Sequence, residues 1–227
     1  VSDIGGDTGR DHNLGIRLDR PATISADTTG YVLAQAVSQQ EADYDLKSGT
    51  FGLGFTWLPS DQLTGDIALQ YRALRVDDDS GRTNFRLVAL PGSITWDKRD
   101  DQNDAKRGYW LSGGMIPFVG LQDETGSGAQ ITAEGRAYYS FGASDKFTLA
   151  GRARLGTVAG PEIAETPRDY LFWSGGGGTV RGHSYESLGV EVIQGPDGPV
   201  KTGGMSIVTL TAETRIQLRE KIGLAFF

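Results

Sequence analysis

The segment Val208-Thr209-Leu210-Thr211-Ala212-Glu213-Thr214-Arg215-Ile216-Gln217-Leu218-Arg219 decides the fold. Val208, Leu210, Ala212, Ile216 and Leu218 fall on one parity, and Thr209, Thr211, Glu213, Arg215, Gln217 and Arg219 on the other. Thr214 is the one polar residue on the apolar side. A period of two puts the two sets on opposite faces of a β-strand. Roughly 9–11 residues suffice for a tilted strand to cross a bilayer.

The same alternation recurs upstream. Gln130, Thr132, Glu134 and Arg136 interleave with Ile131, Ala133, Gly135, Ala137 and Tyr139. Phe147, Leu149, Gly151, Ala153 and Leu155 interleave with Thr148, Ala150, Arg152 and Arg154. Phe51–Trp57 and Ile67–Ala73 repeat it, and turn clusters such as Leu58-Pro59-Ser60-Asp61 and Asp77-Asp78-Asp79-Ser80-Gly81 separate the runs. Together they predict about ten strands, near 14–20, 31–39, 50–58, 65–75, 83–97, 108–118, 129–141, 146–156, 205–219 and 221–227. Residues 156–204 break the rhythm. A connection that long is expected to be functional or disordered, and its aromatic clusters favour function.

A soluble antiparallel sandwich with one wet face shares this alternation. Two features favour a membrane barrel instead. Arg152, Arg154, Glu213 and Arg215 sit in mid-strand, which suits a hydrated lumen, and Trp57, Tyr71, Trp96, Trp110 and Tyr139 fall near predicted strand ends, as an interfacial girdle would. Only 38% of the 227 residues are apolar, with no run long enough for a membrane helix, which a barrel does not need. A net charge of −7 argues against a nucleic-acid partner. There is no cysteine and there are two histidines, so zinc is not expected, and no cofactor or metal is.

Enzyme motifs fail on inspection. Gly182-His183-Ser184-Tyr185-Glu186 lacks the last glycine of a nucleophile elbow. Gly175, Gly176, Gly177 and Gly178 precede Thr179-Val180-Arg181, not the Gly-Lys-Ser/Thr of a phosphate loop. Asp77–Gly81 lacks EF-hand spacing and is expected to be a solvated hairpin tip.

The long loop runs Asp169-Tyr170-Leu171-Phe172-Trp173-Ser174, the four glycines, Thr179, then Val180-Arg181-Gly182-His183-Ser184-Tyr185-Glu186-Ser187-Leu188-Gly189. It resembles the sixth extracellular loop of the BamA/TamA superfamily, whose hallmark is Val-Arg-Gly-Tyr or Val-Arg-Gly-Phe after a glycine-rich stretch. His183 stands in the aromatic's place. Ile94-Thr95-Trp96-Asp97-Lys98-Arg99-Asp100-Asp101 followed by Arg107-Gly108-Tyr109-Trp110-Leu111 is similar to a second family block, and Thr211-Ala212-Glu213-Thr214 to the strand after the loop. The flanking glycines and Tyr185-Glu186-Ser187-Leu188-Gly189 look more like TamA than BamA.

The resemblance implies an all-β fold: an antiparallel transmembrane β-barrel, partial, with about ten of sixteen strands over residues 1–227 and a long loop at 156–204 folding into the lumen. Upstream POTRA domains and the closing strands would lie outside the chain, which stops at Phe226-Phe227 before an expected Phe-x-Asp-x-Gly segment. In such a loop Arg181 would pair with an acid on the inner wall, and Glu213 is the matching acid here. Its spacing independently places it on the polar face. Asp97, Arg99 and Asp100 are candidates for a rim cluster, and Tyr185 and Trp173 for packing anchors.

The function implied is a TamA-type assembly factor in the outer membrane of a Gram-negative bacterium, not an enzyme. Its implied partners are outer-membrane lipid and lipopolysaccharide, unfolded autotransporter-type barrel clients and a TamB-like periplasm-spanning protein. BamA-type assembly or two-partner secretion is the nearest alternative, and a passive diffusion porin is one of another class.

Overall fold

The computed structural model describes residues 11–41, 43–196, 198–219 and 222–227. Strands β1 (His12–Arg20), β2 (Thr28–Gln40), β3 (Tyr44–Ser60), β4 (Leu63–Asp78), β5 (Gly81–Ala89), β6 (Gly92–Asp97), β7 (Gly108–Gly120), β8 (Gly128–Phe141) and β9 (Phe147–Ala159) follow one another. The hairpin β10 (Val190–Gly195) and β11 (Gly198–Thr202) comes next, then β12 (Ser206–Arg219) and β13 (Ile222–Phe226). One antiparallel sheet runs β1-β2-β3-β4-β5-β7-β8-β9-β12-β13, and β10–β11 form a separate two-stranded ribbon.

β5 and β6 behave as the single strand expected over 83–97. β4 pairs Gln70 with Ala89 and Ile67 with Gly92 in one unbroken register. Pro91 has no N–H to give the ladder, so the regular pairing lapses there. The gap is bridged by Ala68 N donating to Pro91 O at 2.9 Å and Leu90 N donating to Pro117 O at 2.9 Å. All ten predicted strands are present, several longer than expected; β3 has 17 residues and β4 has 16.

The two faces differ as the alternation requires. Leu69, Ile94, Leu111, Ile131, Leu155 and Leu210 are exposed on the outer face. Such an array would be costly against water and is suited to lipid. Trp57, Trp96 and Tyr139 point outward with them. Two aromatics depart from the expected girdle: Trp110 lies beneath Arg136 on the inner face, 4.7 Å from guanidinium to ring, and Tyr71 sits midway along β4. Parity decides the first case, since Trp110 neighbours the outward Leu111.

The core lies on the inner face at one end. Leu46, Leu74, Val76, Phe85, Leu87, Ala89, Phe118 and Val158, from β3, β4, β5, β7 and β9, form one buried cluster with Tyr170 and Phe172 of the long connection. Side chains from so many strands meet one short segment, so the sheet curves around it. We call this the loop end, and the opposite end the turn end.

Candidate functional site

The connection from Gly160 to Met205 is built in three parts. Its base, through Trp173, is held by ion pairs in the core. Arg168 reaches Asp78 with Nη2 at 3.0 Å and Nε at 3.1 Å, and both side chains are almost wholly buried. Asp78 also accepts from the Ser80 N–H at 2.9 Å and from the Ser80 hydroxyl. Asp169 pairs with Arg72 of β4 at 2.5 Å, and Gln130 Nε2 donates to Tyr170 O at 2.8 Å. The Tyr170 ring meets Phe118 edge-on at 5.1 Å.

Asp78 corrects the expectation of a solvated hairpin tip. A run of aspartates beside serine and glycine resembles any exposed turn. What buries Asp78 is an arginine far along the chain, beyond the reach of local sequence.

The second part is the β10–β11 ribbon, which the sequence reading missed. Its signals were present: Val190 and Val192 alternate with Glu191, and Gly195-Pro196-Asp197-Gly198 is turn chemistry. Lys201 pairs with Asp43 at 2.9 Å, while Trp173 stacks on Tyr44 at 5.9 Å. Trp173 thus serves as the packing anchor expected of it. Tyr185, by contrast, is 64% exposed.

The third part is the tip, closed by the Ser174–Leu188 bridge. Gly175, Gly176 and Gly182 have φ of +111°, +85° and +87°, values that L side chains rarely adopt. Gly176 N donates to His183 O at 3.0 Å, and the Thr179 hydroxyl accepts from Gly175 N and donates to Gly175 O. The glycine stretch and the motif Val180–His183 therefore form one folded unit, with Val180, Arg181, Gly182 and His183 exposed.

Beneath the tip lies a polar recess of about 200 Å³, lined by Arg136, Arg152, Arg181, Glu213 and Arg215 among others. Arg181 and Glu213 do border one space, but they are not a pair. Glu213 is held by Arg215 Nε at 2.7 Å, and the Arg181 guanidinium lies over the Phe227 ring at 3.3 Å. The reason is local. Residues two apart on a strand share a face, so Arg215 reaches Glu213 without a loop having to be ordered.

The carboxylate nearest the tip's anchor is instead Glu134. Arg152 forks onto it through Nε at 2.8 Å and Nη2 at 2.9 Å, and Arg136 Nε donates at 2.7 Å to Oε1, the oxygen that also accepts from Arg152 Nε. The remaining Arg152 nitrogen, Nη1, donates to Gly178 O at 3.1 Å. Glu134, Arg136 and Arg152 were legible as polar-face residues, but nothing in their spacing named their partners.

The expected rim cluster divides. Arg99 forks onto Asp97 at 2.9 and 2.6 Å, both side chains largely covered, in the turn between β6 and β7. Asp100 joins neither; its Oδ1 accepts the backbone N–H groups of Asp101, Lys106 and Arg107 at 3.0, 2.9 and 3.1 Å. The Arg107 N–H above all, then those of Lys106 and Asp101, holds its carboxyl below the usual carboxylate range. A depressed folded pKa stabilises above the unfolded value of about 3.9 and is lost as pH falls through the folded one. Exchange protection of the Lys106 and Arg107 amides is expected to persist at pH 5 and fall only well into acid. Asp100→Asn should flatten that dependence, and an unchanged profile in the variant would remove this role.

Against known proteins, residues 7–227 match the model of the Omp85 superfamily domain. The crystal structure of BamA from Haemophilus ducreyi lacking POTRA domains 1–3 superposes with a TM-score of 0.77 at 15% sequence identity. The match covers 93% of this chain and 46% of that one, so the chain spans about half the length of this solved relative. At that identity the likeness speaks for the fold, an antiparallel barrel wall. The two-faced sheet, the loop folded onto its inner face and the domain match agree: the chain belongs to the Omp85 superfamily.

Proposed function

We propose that this chain is the larger part of the barrel of an outer-membrane protein-assembly factor of the TamA type, working in a Gram-negative bacterium. POTRA domains upstream and the closing strands would complete it. The observation that carries the reading is the loop's base, which fills the inner face at the loop end with a packed apolar core and buried ion pairs. A passive porin needs that space open to water. An assembly factor does not, because its work is done at the wall.

The chemistry proposed is strand addition. A client hairpin pairs with an exposed sheet edge through backbone hydrogen bonds, and a locally thin bilayer lowers the cost of insertion. Outer-membrane lipid and lipopolysaccharide would face the apolar side, and a TamB-like protein would meet the periplasmic domains. No bond is made or broken, so no catalytic residue is needed.

The test is deletion and complementation of the full gene. Surface display of autotransporter-type clients is expected to fall on deletion while bulk outer-membrane proteins stay near normal. General depletion of barrel proteins would favour a BamA-type factor, and loss of one secreted exoprotein alone a two-partner transporter. Unchanged client assembly together with steady conductance in planar bilayers would overturn the reading in favour of a porin.

A further inference from the structure

The loop's base and tip are held by separate means. The base has the Arg168–Asp78 and Arg72–Asp169 pairs and the apolar core. The tip has far less. Between Gly175 and Gly182, among the described residues, the hydrogen bond to a wall strand is the one from Arg152 to Gly178 O. Arg181 adds a ring contact with Phe227, just beyond β13.

The aim of Arg152 follows from its surroundings. A guanidinium offers five N–H groups in a rigid plane, so a two-point fork on a carboxylate fixes where the rest point. Arg152 spends Nε and Nη2 on Glu134, whose Oε1 is also held by Arg136, and this leaves Nη1 directed at the loop. The contact is made to the Gly178 carbonyl, and a Cβ built at Gly178 meets nothing within 4 Å, so the bond does not depend on the residue being glycine.

We propose that Arg152 is the positioning residue for the tip. Aimed by Glu134, it holds Gly178, and with it the Val180–His183 motif, against the inner wall, independently of the pairs that hold the base. Glu213, the acid that the motif's resemblance singled out, serves Arg215 instead. The tip can therefore leave the wall while the base stays docked.

Trypsin tests this on the full-length protein in detergent or liposomes, because the loop carries its own cleavage sites. Arg181 lies in the tip and is exposed, Arg168 in the buried base, and Lys201 in the ribbon, paired with Asp43. Arg152→Gln leaves Glu134 with Arg136 as partner, so no buried charge is stranded. Cleavage after Arg181 is expected to rise by about tenfold or more, equivalent to losing one charge-assisted hydrogen bond, with cleavage at Arg168 and Lys201 unchanged. Glu134→Gln, which removes the aiming carboxylate, should act the same way, and Arg152→Lys should fall short of wild type because an ammonium cannot fork. Heat-modifiable migration on gels checks that each variant is a folded barrel. Unchanged cleavage after Arg181 in both glutamine variants, or equal gains at all three sites, would overturn the proposal. The readout does not depend on client assembly, so the assembly reading can fail without touching it.

Discussion

Arg168→Ala is expected to undock the long loop's base, lowering the free energy of docking by about 3–5 kcal/mol. The Arg168 and Asp78 side chains are 4% and 3% exposed, so removing the cation leaves a carboxylate in the core of Leu74, Val76 and Phe85 with the Ser80 N–H and hydroxyl as its donors. Those two donors put the cost toward the low end. The loss is also capped: once it exceeds the docking energy, the base leaves the wall and Asp78 regains water. Trypsin cleavage across the whole 160–205 segment should therefore accelerate while the barrel keeps its heat-modifiable migration. Asp78→Ala/Arg168→Ala should cost less than the sum of its parts, since neither charge is then left alone. A single variant with wild-type proteolysis would show that the core alone holds the base.

The same pair marks where sequence reading stops. Strand identity and face were legible because period two is local: Glu213 and Arg215 fall on the inner face from their parity alone, and so do Glu134, Arg136 and Arg152. Partner choice was not legible, because it depends on which strands become neighbours and how deep a loop sinks. Glu134 and Arg152 are 18 residues apart, Asp78 and Arg168 are 90, and Lys201 and Asp43 are 158. Arg181 shows the limit most directly. The motif led to the correct recess, yet Glu213 had a cheaper partner two positions away.

Phe172→Ala is expected to cost about 3–5 kcal/mol of loop docking, from lost transfer energy and an unfilled hole. The hole is specific. Phe172 lies against Gly156 of β9, and a Cβ added at Gly156 would fall on its Cε1 and within 2.6 Å of Cζ and 3.0 Å of Cδ1. The wall carries a notch the width of a missing side chain, and the ring fills it; Tyr31 lies across Gly54 in the same manner, its ring 2.7 Å from an added Cβ. Gly156→Val should therefore displace the ring at an overpacking cost of about 1–3 kcal/mol. Gly151→Ala, five residues earlier on the outward parity with nothing within 4 Å, should be neutral. Because ring and notch share one volume, Gly156→Ala combined with Phe172→Leu should cost less than the two singles together. Urea titration of loop protection in these four variants, the Gly156→Ala and Phe172→Leu singles and their parent checks this. Strict additivity would mean that Phe172 is held by the Gly204 backbone bridge and not by the notch it covers.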